Sequence, residues 1–533
     1  MKRRKFLKLS GAAATSLFLP RVYSEKGLII NQSIETLIIG SGYGGAVAAL
    51  RLTQAGYPVT ILEMGLNWST TGDPYKPFSE MSGPKENSTW LRNKTIAPLL
   101  NAATFPNKFT GVLDRADYED IKIYFGRGVG GGSLVNGGMA VTPKQEYFAE
   151  VFPDLSTHDF YTKYFPKAKA QLEVNEISER FYEQTEYYKF SRVGEREAAD
   201  AGFATTKIPN VYDFAYMEQE DKKQVPRSAF NKELIYGNNY GKKSLDKTYL
   251  KSAFETGLLT ILDLHQVVDI IRDSDETFKV MVSVIDTGGN LKKRKSFTCK
   301  KLFLCAGSLG TTQLLTAARG KGNLRNLPDA IGINWGNNGN IMTGRNFINT
   351  VFNKVNTTPK KQGRGTGGSQ STIPVAAIDN WNDPEHPFFA EISPCPMGME
   401  VYTSLYLLIN KVPKKGFFYW DKATQSVMLK WDKTNWEESY INAKYFIERL
   451  RKTNGGTRAH LLFKNGFDPD ICYHPLGGCV LGQCTDHFGR INGYKNLYAL
   501  DGSLVPGTIG VNPFLTITAL AEYCIEDIIQ KDF

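Results

Sequence analysis

The chain has 533 residues, of which 41% are hydrophobic, 12% aromatic and 22% charged, the make-up of a globular protein and not of a disordered one. At ~100–200 residues per domain it should hold two or three substructures, and past the N-terminus no apolar stretch reaches the ~20 residues of a membrane span. The formal charge of +10 would suit nucleic acid or an anionic membrane surface, but apart from Lys292-Lys293-Arg294-Lys295 and Lys414-Lys415 the basic residues are scattered, with no nucleic-acid-binding signature beside them. Nucleic acid is therefore excluded as a partner; a weak attraction to anionic lipid is not.

At the N-terminus, Lys2-Arg3-Arg4-Lys5-Phe6-Leu7-Lys8 leads into a mildly apolar run over 9–20, and Val22 and Ser24 would allow cleavage before Glu25. A charged start, a short apolar stretch and small residues before a cut make up a signal peptide. The adjacent arginines followed by Phe-Leu-Lys resemble the twin-arginine export signal. Residues 1–24 are expected to be a removed signal, leaving a soluble protein that is secreted or periplasmic.

Ile34-Glu35-Thr36-Leu37-Ile38-Ile39 is an apolar, β-branched run that reads as a buried parallel strand. It continues into Gly40-Ser41-Gly42-Tyr43-Gly44-Gly45 and the helix-forming Ala46-Val47-Ala48-Ala49-Leu50-Arg51-Leu52. Gly40, Gly42 and Gly45 have the G-x-G-x-x-G spacing that permits a tight turn, a close backbone approach to a pyrophosphate and close helix–strand packing. The anion would sit on the helix N-terminus. Glycines alone would be a weak signal, but a second strand, Pro58-Val59-Thr60-Ile61-Leu62, follows and ends at Glu63. An acid ~20 positions after the glycines is placed to bind a ribose hydroxyl.

The run Gly126-Arg127-Gly128-Val129-Gly130-Gly131-Gly132-Ser133-Leu134-Val135-Asn136-Gly137-Gly138-Met139 is too glycine-dense for a regular element. Its interleaved apolar and amide residues argue for an ordered loop whose main chain lies against a flat ligand, such as a flavin ring. Residues 147–241 read as aromatic-rich and helical in places. Strands are expected over 259–268 and 278–284, with Asp286-Thr287-Gly288-Gly289 as a hairpin turn. Lys301-Leu302-Phe303-Leu304-Cys305, a glycine turn and a helix over 311–318 form another β-turn-α unit. Residues 323–470 contain alternating strand-like runs, among them 401–409. Asn496-Leu497-Tyr498-Ala499-Leu500-Asp501-Gly502-Ser503 is a strand entering a turn, and 511–529 a final helix. Loops 67–94 and 357–371 are candidate lids. The seven cysteines, at 299, 305, 395, 472, 479, 484 and 524, form no even framework and no metal-ligand spacing, so buried free thiols and no metal are expected.

Several blocks resemble the noncovalent-FAD bacterial cholesterol oxidases, within the wider glucose-methanol-choline oxidoreductase superfamily. They are residues 40–45, 126–139, 241–250, Leu264-His265-Gln266-Val267, 339–343, Phe389-Ala390-Glu391-Ile392-Ser393-Pro394, Tyr473-His474-Pro475-Leu476-Gly477-Gly478-Cys479 and Gly510-Val511-Asn512-Pro513-Phe514. The resemblance covers nearly the whole chain beyond the signal. It implies an α/β fold: a doubly wound, Rossmann-like FAD domain from 33–66, 100–145, 242–322 and 471–533. An α+β substrate domain from 67–99, 146–241 and 323–470 would lay an antiparallel sheet over the flavin.

The resemblance also implies roles. His474 would hydrogen-bond a steroid hydroxyl, and Asn512 would face both the flavin and the substrate oxygen. Glu391, lying among apolar residues that would raise its pKa, would move a proton from C4 to C6 of the first ketone. Gly40, Gly42, Tyr43, Gly44, Gly45, Glu63, Gly132, Asn136, Gly137, Met139, Val267, Asp501, Gly502, Asn512 and Phe514 would contact FAD. A sterol and O2 would be the partners of a monomer that touches sterol-containing membranes. The competing readings are another alcohol oxidoreductase of the superfamily, a sterol-binding flavoprotein without turnover, and a nicotinamide-dependent dehydrogenase.

Overall fold

The computed structural model of the protein describes residues 30–68, 86–93, 107–230, 240–346, 370–394, 403–411, 414–458 and 470–533. The expected export signal and most of both candidate lids lie outside the described residues. The glycine turn grows out of a strand, Ile30–Ile39, whose Leu37 and Ile38 are fully buried. It pairs in parallel with Val59–Leu62 on one side and the long strand Leu291–Leu304 on the other. Leu259–Leu262 adds a parallel strand beyond Val59–Leu62, and Leu497–Ala499 adds one beside the distal end of Leu291–Leu304. Apolar helices cover the sheet, chiefly Tyr43–Gln54, Gly307–Gly320 and Phe514–Asp532.

Two antiparallel strands, Phe278–Ile285 and His265–Arg272, extend the sheet from the proximal half of Leu291–Leu304. The hairpin turn sits where expected: Asp286 Oδ1 accepts from the N–H groups of Gly288 (2.9 Å) and Asn290 (2.8 Å). The single strand expected over 259–268 is two strands. The chain breaks at Leu264, whose φ of +54° no strand tolerates, and the two halves pair with different neighbours. The last helix starts at Phe514 and not at 511, because a residue before proline is pushed out of the helical region and Asn512 precedes Pro513.

A second, six-stranded antiparallel sheet runs in the order Thr457–Arg458, Ile341–Asn346, Thr403–Asn410, Phe388–Ser393, Ala376–Asp379, Thr205–Lys207. Side chains alternate across it. Phe388, Ala390, Ile392, Tyr406 and Leu408 face a core shared with helices Lys189–Asp200 and Glu437–Asn454. Phe389 and Ile409 lie on the opposite face, in a cluster with Met139 and Val511 from the nucleotide-binding side. Helix Glu437–Asn454 was not expected among these strand-like runs. It has acids in its first turn, bases in its last and Gly455 beyond its end at φ +75°, and it packs Ala443, Phe446, Ile447 and Leu450 on the sheet. A small third sheet is formed by Leu113–Asp117, Ile121–Gly126 and Asp470–Cys472, and its Leu113, Tyr124 and Ile471 cluster with Met342 of the second sheet and with Leu264. Six cysteines are described, all buried and free; Cys395 lies outside the described residues.

Candidate active site

Among the glycines of the first turn, Gly44 and Gly45 are explained by the protein alone. A Cβ on Gly44 would stand 1.3 Å from Leu500 O, and one on Gly45 2.1 Å from Gly40 O. Gly42 and Gly132 differ: a Cβ on either would meet nothing within 4 Å, and neither has a left-handed φ. Open space is therefore kept at the N-terminus of helix Tyr43–Gln54, which Gly42 caps without a side chain. Unpaired N–H groups and the helix dipole make that space a fit for a pyrophosphate.

Glu63 lies at the end of its strand, 6% exposed. Its Oε2 accepts from Ser41 N (3.1 Å) and Ser41 Oγ (2.6 Å), and its Oε1 from Gly65 N (2.8 Å). Gly128 N–H also donates to Oε1 (3.4 Å), so the carboxylate braces both glycine runs with two donors on each oxygen. Val267 is half-buried at a bulge that leaves Val268 out of the ladder, freeing backbone groups there.

The second glycine run is ordered, as expected, around a 3₁₀ turn at Gly131–Leu134. Beyond it Asn136 Nδ2 donates to Tyr43 Oη (2.6 Å), and the Tyr43 ring stacks on Phe514 at 5.0 Å and 17°. Asn136 Oδ1 is buried without a partner. Gly137 O accepts from Asn210 Nδ2 (3.1 Å), and Met139 reaches the Phe389 cluster. Asp501 is engaged within the protein, its Oδ2 accepting from Thr311 Oγ1 (2.5 Å) and its Oδ1 from Ser503 N (2.8 Å). Gly502 O accepts from Gly477 N (2.9 Å), tying the C-terminal turn to the His474 loop.

Glu391 sits mid-strand on the face turned from the Phe388–Ala390–Ile392 core, 2% exposed. Burial pushes its carboxyl up to about 7, against the opposing pull of a 2.7 Å hydrogen bond from Asn512 Nδ2 to its Oε1. Asn512 Oδ1 is a buried acceptor with no partner. That orphan is costly unless something donates to it.

His474 follows strand Asp470–Cys472. Its Nδ1 lies 2.9 Å from Asn340 Nδ2 and 3.4 Å from Asn338 Nδ2. The orientation of the Asn340 amide is fixed, because its Oδ1 accepts from the N–H groups of Tyr473 and His474, both at 3.0 Å. Nδ1 therefore faces a donor and must carry a lone pair, which assigns the proton of the neutral ring to Nε2. Loss of solvent pushes the imidazolium pKa down to about 3. Asn338 accepts from Ile509 N (2.8 Å) and donates to Val511 O (2.8 Å), so it docks the Asn512 segment beside His474.

The structure thus joins Glu391 to Asn512 directly, and His474 to the Asn512 segment through Asn338. Sequence reasoning gave no role to Asn338, Asn340 or Lys242. Lys242 is fully buried, donates to Asn136 O (2.5 Å), and is held well below the ordinary lysine range by burial. The signal for the first two was an amide-dense run, Asn337-Asn338-Gly339-Asn340. Around the site, half-buried Met342, Val135 and Tyr473 pack with Leu66, Trp68 and Leu134 into an apolar wall.

Residues 34–338 match a family model described as GMC oxidoreductase, 462–521 a second so described, and 338–464 one described as GMC oxidoreductase, C-terminal. A cholesterol oxidase of Acinetobacter baumannii is 24% identical, over 94% of this chain and 96% of that protein. One from Mycobacterium tuberculosis is also 24% identical, over 92% and 90%. A long-chain-alcohol oxidase of Arabidopsis thaliana is 22% identical, over 92% of this chain and 66% of that one. Among solved structures, an Aspergillus oryzae formate oxidase, studied for the effect of a mutation on FAD modification, superposes with a TM-score of 0.61 at 13% identity. It covers 94% of this chain and 99% of its own, a likeness of fold.

Proposed function

The chain belongs to the GMC oxidoreductase family, and from that premise we propose that it oxidises the 3β-hydroxyl of a sterol with FAD and O2, forming H2O2, and then isomerises the 5-ene-3-ketone to the 4-ene-3-ketone. Gly42 and Gly132 would leave room for the cofactor, with Tyr43, Asn136 and Phe514 beside it, and no covalent link is proposed. The flavin, when bound, supplies an acceptor for the hydride that leaves the carbinol carbon.

His474, with its proton on Nε2 and a pKa of about 3, donates a hydrogen bond to the substrate oxygen and does not take its proton. Asn512 Oδ1 is the matching acceptor that orients the hydroxyl; its proton is released to water as the hydride leaves, and both end in H2O2. Asn512 Nδ2 occupies Glu391 Oε1, which leaves Oε2 for proton transfer. Once the ketone has formed, the carboxylate removes a proton from C4 and returns it at C6, so no proton is consumed overall. The apolar wall around Met342 and Tyr473 suits a fused-ring substrate.

One observation carries this reading: a buried carboxylate, poised near neutrality and tied to Asn512. Plain alcohol oxidation has no need of such a base, and the isomerisation does. Purified holoprotein mixed with cholesterol in air, with peroxide and conjugated-enone absorbance followed together, tests it. Both signals should rise. Enone without peroxide would replace O2 with another acceptor, and neither signal from flavin-loaded protein would end the sterol assignment. Export through the twin-arginine pathway is proposed on the N-terminal residues alone.

A further inference from the structure

Among the described residues six large hydrophobic side chains are exposed, and three of them, Ile333 (45%), Phe417 (44%) and Tyr419 (41%), lie together. Strand Phe417–Asp421 forms a two-stranded hairpin with Ser426–Lys430. Its inner face is satisfied: Phe418 is 2% exposed and packs edge-on against Trp335 at 5.5 Å. The hairpin is also fastened along one edge to the segment that carries Ile333. Gly416 and Trp335 exchange backbone hydrogen bonds (2.8 and 3.1 Å), and Phe418 N–H donates to Gly332 O (2.9 Å).

Alternation then dictates what the outer face shows. Phe417 stands opposite Lys430, and Tyr419 opposite Met428. Between 414 and 433 the sequence holds five lysines, at 414, 415, 422, 430 and 433, against two acids, Asp421 and Asp432, a balance of +3, with Asp432 close enough to Lys414 and Lys430 to feel their charge. Lys414, Lys422 and Lys430 are exposed. The ion pair of Lys414 with Glu437, 3.9 Å long between two exposed side chains, is too weak to neutralise it. Asp421 is occupied at the turn by Thr424 Oγ1 (2.6 Å) and Ala423 N (3.0 Å).

Outward aromatics, an isoleucine and a methionine framed by lysines make up an interfacial anchor: rings enter the headgroup layer while ammonium groups meet lipid phosphates. We propose that this hairpin, with Ile333, docks the protein on an anionic phospholipid surface. The charge of the rim favours lipid over a second copy of the chain, which would bring lysines against lysines. The proposal concerns docking and stands whether or not the substrate is a sterol.

The test is sedimentation of the holoprotein with sterol-free vesicles, either phosphatidylcholine alone or mixed with phosphatidylglycerol. Wild type should partition to the anionic vesicles several-fold more than to the neutral ones. The double variant Phe417→Ser/Tyr419→Ser should bind at least about tenfold less, and Lys422→Glu/Lys430→Glu should lose the preference for anionic lipid. Turnover of detergent-dispersed substrate should be unchanged in both, since none of the four residues touches the site. Wild type that ignores anionic vesicles, or a double variant that still binds them, overturns the proposal. So does a wild-type dimer that falls to monomer in the double variant, because a second copy would then be what covers the face.

Discussion

At Glu391 the energetics of burial and the chemistry pull on one atom set. Glu391→Gln preserves shape and the contact with Asn512 but removes the base. Enone formation should fall by about 10²–10⁴-fold, while peroxide release should stay within a few-fold of wild type; equal loss of both signals would refute the division of roles. The same substitution should alter stability in a pH-dependent way. Because the folded-state pKa is raised from 4.5 to about 7, the stability tied to the protonated form is fully present below pH 4.5. It is lost as pH rises through 7, where the buried group must ionise. Glu391→Gln should therefore melt higher than wild type at pH 8, by a margin on the order of 3 kcal/mol, and near wild type at pH 4.5. Thermal melts at the two pH values measure this.

Asn340 poses a complementary question, since under the proposed function it would act on substrate only through His474. Asn340→Asp keeps an oxygen for the two backbone N–H groups but turns a carboxylate toward Nδ1. The ring proton should move to Nδ1 and the imidazole pKa rise, leaving no donor at Nε2. A loss of about 10²-fold in kcat, with a new ionisation in the pH profile, is expected. A merely structural role would lower the melting temperature without moving that profile.

At the scale of elements, the glycine turn separates what the fold requires from what a ligand requires. Gly44→Ala would collide with Leu500 O and should abolish folding. Gly42→Ala collides with no protein atom, so the apoprotein should melt as wild type does while FAD retention after gel filtration falls at least about tenfold. A loss of apoprotein stability equal to that of Gly44→Ala would show that the open space belongs to the fold and not to the cofactor. The first βαβ unit was legible because each of its signals is local: a β-branched run, glycines at fixed spacing, an acid after the next strand. The break at Leu264 was not, since a leucine with left-handed φ carries no compositional mark. Helix Glu437–Asn454 was hidden by its neighbours' strand-like runs, although its acidic start and Gly455 stop were available to be read. The tautomer of His474 depends on Asn340, 134 residues away, a relation no window along the chain contains.

For the whole molecule, the antiparallel sheet meets the nucleotide-binding side around Glu391 and Asn512, and the two are held together by contacts between distant segments. Glu391 and Asn512 are 121 residues apart, and Arg51 reaches Glu522 across 471. Both ends of the cradle, the first glycine turn and helix Phe514–Asp532, must be present before Tyr43 can stack on Phe514. At ribosomal rates of 5–20 residues per second, those 471 positions separate Arg51 from its partner by about 25–90 s. The parallel strand Ile30–Ile39 waits a shorter time, the 265 positions from Ile39 to Leu304 or about 13–53 s, with the backbone groups of one edge unpaired. Yield in the cell should then be governed by whatever shields the nascent chain, and cofactor capture is necessarily a late event in the life of each molecule.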